Sequence, residues 1–452
     1  MNKFLNFFSK SFLIISFIIF IFILYKYKIY DFNEIDLNSL KYFYFFGLIF
    51  LFSVIFYLTN NKIREKLFLL SLSILFSLYL SEGYLVFNQY KSSVKYHAKK
   101  NNKFYDDRSR YRYFLDRRKE NLDIVVSLPP FIIHREYFKN PNFFNLLPLG
   151  GLSKKQTIFC NEAGFFVEYL SDRYGFNNPD NEWDKKQHIL LLGDSYVHGV
   201  CVDEQNSISG NLRSKIKSND LGIINLGQRG NGPLSELATL IEYIKITNPE
   251  KIFWFYYEGN DLKNLRYENR IHFLRNYLDQ RDYSQNLIKS QKVIDDYLND
   301  TLNARLEFEK KTFNYLKENK FLVFLKLKRL RDSLKKIQYK KEKINYNKEI
   351  IEFKKILEKA NNIIKKSDAE FYFIYIPSYN RLNGYELADE GEEYYQKIKK
   401  IVGDLNIEFL DLNEELSMLV NDKKSLFPFG LPKHFNSTGY KHISQILINK
   451  FF

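Results

Sequence analysis

The chain of 452 residues is too long for one ordinary domain and long enough for a membrane segment plus a domain with its own core. Its formal net charge of +15 at pH 7 lies mainly in residues 91–119 and 310–366, without a zinc-finger, P-loop or RNA-recognition pattern, which argues against nucleic acid as a partner. Two cysteines, Cys160 and Cys201, exclude a disulfide-rich scaffold and a cysteine metal site, and leave one disulfide bond or two free thiols open.

Three apolar runs open the chain, at residues 11–25, 42–58 and 67–87. The second run is uncharged over about 20 residues, the length that crosses a bilayer core. A cleavable signal peptide is the alternative for the first run, but no small-residue cleavage site follows it. The pattern predicts three transmembrane helices within residues 1–90 and contact with a lipid bilayer.

The basic residues of the short loops indicate the orientation of these helices. The loop between the second and third runs contains Lys62, Arg64 and Lys66, and lysines also precede the first run, so both segments favour the cytoplasm. Three spans then place the rest of the chain outside the cytoplasmic, or inner, membrane. The basic segment at residues 91–119 argues for the opposite orientation.

Residues 91–184 are predicted to form a juxtamembrane segment and a small module of short strands. From residue 185 to 452, apolar strands alternate with amphipathic helices, which predicts a three-layer, flavodoxin-like α/β domain with a parallel five-stranded sheet. Strands are expected at residues 188–192, 221–226, 251–257, 370–376 and 407–410, and helices at residues 208–216, 234–246, 392–402 and 437–451.

An insertion of helical pattern separates the third and fourth strands, at about residues 263–368. Apolar positions such as Ile344, Ile351 and Leu357 stand among Lys and Glu, which predicts an amphipathic helical hairpin. The hairpin is interpreted as a cap on the domain or as an arm that binds a partner or lies on the membrane.

The carboxyl ends of parallel strands are where catalytic groups collect in α/β domains. Ser195 follows the first strand at a strand-to-helix turn, which exposes its hydroxyl and makes it a candidate nucleophile. Asp194 is expected to cap that turn. His198 is expected to line the pocket, with a role as the base as the alternative.

Three further strand ends and loops supply the groups that acyl transfer needs. The N–H of Gly230 and the amide of Asn260, together with Ser195, are predicted to form an oxyanion hole, and Asp261 to hold the Asn260 loop. His434 lies on the loop just before the last helix. From that position its imidazole is expected to reach the sheet edge and to serve as the base.

Together these four blocks resemble the SGNH, or GDSL, hydrolase superfamily. The resemblance covers about residues 184–452, apart from the insertion, and matches Ser195, Gly230, Asn260 and His434 to the family's catalytic positions. The segment Cys160-Asn161-Glu162 and residues 171–179 also look like the lead-in of uncharacterised bacterial members. The resemblance implies an SGNH hydrolase fold.

The family usually has an Asp two or three residues before the His, where this chain has Leu431 and Pro432. Asp411, at the end of the fifth strand, is the candidate substitute, and a Ser-His dyad assisted by a backbone carbonyl is the alternative.

The expected function is that of a membrane-anchored serine esterase or O-acyltransferase, acting on ester-linked, acetyl-like groups of envelope or secreted glycans or on small esters. The missing Asp motivates an alternative, a catalytically degenerate domain that serves as a glycan-binding or scaffold module in an export complex. No metal or organic cofactor is implied, because no ligand cluster or phosphate-binding loop is present.

Overall fold

The computed structural model describes residues 2–29, 37–139, 145–340, 345–385 and 391–452. The chain divides into two compact units. The first contains residues 1–88 together with 320–340, and the second contains residues 89–319 together with 341–452.

The first unit is built on three apolar helices, Asn2–Ile29, Leu37–Leu58 and Asn61–Lys91. They coincide with the three apolar runs of the sequence. Two segments, Lys3–Tyr25 and Asn61–Lys91, are long and apolar enough to cross a membrane, and the apolar part of the middle helix, Phe43–Leu58, is shorter. Large hydrophobic side chains are exposed on all three helices, for example Ile14, Leu48 and Phe76.

Two short helices of the insertion, Lys320–Leu325 and Lys328–Lys340, belong to this first unit. The buried carboxylate of Glu82 accepts hydrogen bonds from the backbone N–H groups of Arg329 at 3.0 Å and Leu330 at 2.8 Å. A carboxylate at a helix start satisfies N–H groups that have no partner within the helix. The insertion is therefore not one uniform cap, since residues 320–340 pack with the apolar helices.

The second unit begins with helices Val94–Lys100, Arg110–Arg118 and Pro130–Lys139 and a small three-stranded sheet. Strand β1 (Val125–Val126) runs parallel to β2 (Gln156–Ile158), which pairs antiparallel with β3 (Glu168–Leu170). Backbone hydrogen bonds between Phe159 and Val167 and between Val167 and Cys160 continue the β2–β3 hairpin into its loop. We call this sheet the small β module.

The main sheet has five parallel strands in the order β5-β4-β6-β7-β8. The strands are β4 (Gln187–Leu192), β5 (Leu221–Asn225), β6 (Pro249–Tyr257), β7 (Glu370–Ile376) and β8 (Glu408–Asp411). Alternate residues of β4 enter two hydrophobic clusters, Leu190 and Leu192 in one and Ile189 and Leu191 in the other. Burial on both faces explains the continuous apolar runs of these strands and confirms the predicted fold class.

Helices cover both faces of the sheet. Before the insertion they are Ser195–His198, Ile208–Ile216, Pro233–Tyr243 and Asp261–Glu268, and after it Tyr379–Leu382, Gly391–Asp404, Leu412–Leu419 and Ser437–Phe451. The part of the insertion in the second unit contributes His272–Asp279, Gln291–Glu318 and Asn347–Lys366. Hydrogen bonds from Ser153 to Asp295 at 2.6 Å and from Leu147 to Gln285 at 2.7 Å join it to the segment that precedes β2.

Candidate active site

Ser195 lies at the first turn after β4, at the carboxyl edge of the main sheet. The Asp194 carboxylate caps this turn by accepting the N–H of Tyr196 at 2.9 Å, and its other oxygen lies 3.1 Å from Ser195 Oγ. Ser195 is only 3% exposed. The turn therefore holds the hydroxyl in one place, at the floor of the site.

His434 brings its imidazole to this hydroxyl from the loop before the last helix. Its Nε2 lies 2.9 Å from Ser195 Oγ. The Asn436 side chain accepts the N–H of Gly439 at 3.0 Å and donates to the Ser425 carbonyl at 2.7 Å, which fixes the loop between His434 and the helix. The structure thus brings together the serine and the histidine that the sequence places far apart.

The third member of the arrangement is Glu162, in the loop between β2 and β3 of the small β module. One of its oxygens lies 3.0 Å from His434 Nδ1 and accepts the backbone N–H of His434 at 3.1 Å. Burial alone would raise the pKa of the Glu162 carboxyl, but the hydrogen bond and charge of His434 outweigh it and lower the pKa to about 2. An ionised carboxylate at Nδ1 keeps a proton on that nitrogen and leaves the Nε2 lone pair facing the serine.

Asp411 does not occupy the place that the sequence suggested for it. Its carboxylate accepts the Tyr395 hydroxyl at 2.6 Å and the N–H of Asn413 at 2.7 Å, so that it caps the helix after β8. The alternative dyad, with a backbone carbonyl at Nδ1, is not seen either, because Glu162 holds that nitrogen.

Cys160 and Cys201 form a disulfide bond, which decides between the two alternatives left open by the sequence. Cys160 stands just before Glu162, and Cys201 follows the short helix that begins at Ser195. The bond therefore ties the loop of the acid to the turn of the serine. Asn161 strengthens the same loop, since its side chain bonds the N–H of Gly164 at 3.0 Å.

His198 is buried behind the serine turn and lies away from the hydroxyl. Its Nδ1 accepts the backbone N–H of Arg229 at 3.0 Å, and its Nε2 lies 3.3 Å from the Tyr169 hydroxyl. Burial lowers the pKa of His198 to about 3, helped by the charge of Arg229. In this position a neutral imidazole, with a hydrogen-bond partner at each ring nitrogen, joins the small β module to the loop after β5.

The two predicted oxyanion donors line different cavities. Gly230, with a left-handed φ of 93°, lines a cavity of about 290 Å³ together with Phe131, Phe138 and Tyr267. Asn260 lines a different cavity of about 60 Å³, and its buried Oδ1 has no partner among the described side chains.

Asp261 lies at the start of the helix after Asn260. Its buried carboxylate accepts the N–H of Tyr257 at 2.8 Å and so closes the turn between β6 and that helix. In the described part of the chain, no group of three or more His, Cys, Asp or Glu side chains is arranged to hold a metal ion.

Glu162 was not singled out as a functional residue by sequence pattern, because it precedes the serine and lies outside the α/β domain. A signal was nevertheless present. Glu162 falls in the lead-in segment that resembles other SGNH-type proteins, two residues after a cysteine.

The chain has structural neighbours among solved esterases. It is similar to an acetyl xylan esterase, with 10% identity and a TM-score of 0.34 over 59% of this chain and 100% of that one. It is also similar to a lipase/acylhydrolase from Enterococcus faecalis, with 13% identity and a TM-score of 0.32 over 58% of this chain and 94% of that one.

A third neighbour is a psychrotrophic esterase from Pseudoalteromonas sp., with 11% identity and a TM-score of 0.29 over 58% of this chain and 95% of that one. No protein-family model matches the chain, and no curated protein matches it. The five-stranded parallel sheet, with helices on both faces, is the α/β architecture that the sequence predicted.

Proposed function

We propose that the protein is a serine ester hydrolase in which Ser195, His434 and Glu162 act together. As Ser195 Oγ attacks the ester carbonyl carbon, its proton passes to His434 Nε2, and the Glu162 carboxylate stabilises the imidazolium that forms. The imidazolium then gives the proton to the departing alkoxide, which leaves an acyl-serine. Water, deprotonated by the same imidazole, releases the acid and restores the serine.

The observation that carries this proposal is the continuous hydrogen-bonded chain from carboxylate to imidazole to hydroxyl, with contacts of 3.0 Å and 2.9 Å. A degenerate, non-catalytic module was motivated by the absence of an acid before His434. Glu162 supplies a carboxylate to His434 Nδ1 from another part of the chain, so the missing Asp is no longer a reason to expect an inactive domain. The catalytic alternative is therefore favoured over the scaffold alternative.

The substrate that we propose is an O-acylated glycan, or a small ester, with an acetyl-like acyl group. The cavity beside Gly230 has a volume of about 290 Å³ and aromatic walls, which suits a sugar unit. Its Gly230 loop is joined to the serine turn by the hydrogen bond from the Gln228 N–H to the Gly193 carbonyl at 3.3 Å. Hydrolysis and transfer to an acceptor hydroxyl use the same residues and differ only in whether water reaches the acyl-serine. The His434 side chain is 20% exposed, so water has access to the base, and this favours hydrolysis.

We further propose that the first unit anchors the protein in the inner membrane as a multi-pass segment, with the catalytic unit outside the cytoplasm. The exposed hydrophobic side chains of the three helices support the anchor. The disulfide bond supports the location, because disulfides persist in extracytoplasmic compartments and are rare in the reducing cytosol.

The proposed function is tested by labelling the detergent-solubilised full chain with a fluorophosphonate and by measuring p-nitrophenyl acetate hydrolysis. A phosphonate reacts with a serine only where a base has activated it. We expect labelling and hydrolysis in the wild type and in Ser214→Ala, a change at an exposed helix position, and neither in Ser195→Ala. Absence of both in the wild type, with the chain folded, would refute the esterase.

A further inference from the structure

A group of arginines lies around the Gly230 loop, contributed by five separate segments of the second unit. We call it the arginine cluster, and its members are Arg110, Arg135, Arg229, Arg270 and Arg305. The esterase chemistry described above uses none of them. Two of them line the cavity beside Gly230, and two share the Glu309 carboxylate.

Two members of the cluster line the same cavity as Gly230. Arg135 and Arg270 face this space of about 290 Å³. The Arg270 guanidinium lies 5.1 Å from the centre of the Phe138 ring and forms no ion pair with any residue that the structure describes. Arg135 has only a loose contact of 3.4 Å with Glu136, a carboxylate that a neighbouring lysine also binds.

One carboxylate, that of Glu268, also lies in the cavity wall. Glu268 accepts the N–H groups of Gly232 at 2.7 Å and Leu234 at 3.0 Å, and the hydroxyl of Ser235. Burial raises the pKa of Glu268 to about 7, although these hydrogen bonds oppose the rise. The cavity wall thus has two guanidinium groups and one carboxylate, and that carboxylate already has three hydrogen-bond donors.

The next two members extend the cluster along the helix Gln291–Glu318. The Arg135 and Arg305 guanidinium groups lie 5.8 Å and 5.6 Å from the centre of one ring, that of Phe308. Arg305 Nε bonds the Glu309 carboxylate at 2.8 Å, and Arg110 pairs with the same oxygen. One carboxylate thus serves two guanidinium groups, and the positive charge is only partly neutralised.

Arg229 connects the cluster to the short helix that begins at Ser195, since it directly precedes Gly230 and its backbone N–H bonds His198 in that helix. Its partly buried side chain has no hydrogen bond or ion pair within the described ranges. Burial lowers the pKa of Arg229, the charge of Glu162 opposes this, and the charges of Arg110 and Arg305 lower it further. Arg229 therefore lies within the electrostatic reach of both the cluster and Glu162.

Resting on the esterase function above, we propose that the arginine cluster is an anion-binding subsite. It binds a carboxylate or phosphate group of the polymer that bears the ester. Gathering like charges destabilises the free protein, and a bound anion relieves that repulsion. Guanidinium groups match both anions with paired hydrogen bonds. The substrate class that follows is an acylated anionic polysaccharide or polyol phosphate, with its charge on a unit next to the acylated one.

The first experiment compares acetate release from three acetylated polymers by the solubilised full chain: polygalacturonate, poly(glycerol phosphate) and neutral xylan. The loss of one charge-assisted contact corresponds to about tenfold to hundredfold in kcat/KM. We expect the wild type to prefer one of the two anionic polymers over xylan by at least about tenfold. Arg229→Gln and Arg305→Gln should each reduce that ratio, whereas Arg275→Gln, which removes an ion-paired arginine elsewhere, should keep it.

The second experiment measures binding of the unacetylated polymers to the Ser195→Ala chain, and so does not depend on turnover. Arg229→Gln in that background should weaken the binding of an anionic polymer by about tenfold, and added salt should weaken it as well. Binding without catalysis would refute the esterase and keep the subsite. The subsite is overturned if anionic and neutral polymers bind equally, or if binding is unchanged in both Arg229→Gln and Arg305→Gln. This holds even where p-nitrophenyl acetate is hydrolysed.

Discussion

The role of Glu162 is most directly tested by Glu162→Gln, which keeps the shape of the side chain and removes its charge. The pKa of about 2 lies well below the ordinary value of a glutamate, which corresponds to about 3 kcal/mol of net stabilisation of the ionised carboxylate, with His434 as the main contributor. That energy alone is a loss of about a hundredfold in kcat. The amide also favours the wrong imidazole tautomer, an effect of about 10⁴ in serine proteases, so we expect a fall in kcat between these limits.

The assay is steady-state hydrolysis of p-nitrophenyl acetate, with the rate of fluorophosphonate labelling as a second measure. Asp411→Asn is the matched control, because Asp411 is the acid that the sequence suggested, and its contacts serve to cap a helix. We expect it to lower stability by about 1 kcal/mol and to leave kcat within about threefold of the wild type. A Glu162→Gln enzyme that retains wild-type kcat, or an Asp411→Asn enzyme that loses as much, would refute the assignment.

Three further outcomes are expected. Replacing Cys160 and Cys201 with alanine should lower the unfolding free energy of the second unit by about 2–5 kcal/mol and slow fluorophosphonate labelling, and unchanged labelling would show that the bond does not position the site. Asn260→Ala should lower kcat about a hundredfold at constant KM, and an unaffected kcat would exclude its amide from the oxyanion hole. The raised pKa of Glu268, about 7, means that its stabilising contribution is present at low pH and is lost as pH rises from about 4 through 7. Tryptophan fluorescence melts should therefore show a smaller loss of stability between pH 5 and 8 in Glu268→Gln than in the wild type, and equal slopes would contradict the assignment.

The main sheet could be predicted because its strands are continuous apolar runs, buried on both faces. All five predicted strands lie within two residues of the observed ones at each end, and strand Glu370–Ile376 agrees at both ends. The serine and the histidine could be located for a related reason, since both stand at fixed places relative to strands and the last helix.

Contacts between distant segments could not be predicted in the same way. Glu162 reaches His434 from a different sheet, so that no spacing within the α/β domain points to it. The insertion reads as amphipathic throughout, and tertiary contacts such as the hydrogen bonds of Glu82 and Tyr79 distinguish residues 320–340 from the helices that pack on the second unit. The partner of a charged side chain depends on tertiary packing, which local pattern does not encode.

The position of the acid in the small β module has a practical consequence for choosing where to cut the chain. A truncated protein that begins at the first strand of the main sheet would retain Ser195 and His434, and by sequence motif it would look whole. It would lack Glu162 and one of the two cysteines, leaving Cys201 unpaired. A low rate measured on such a fragment would describe the truncation and not the natural protein.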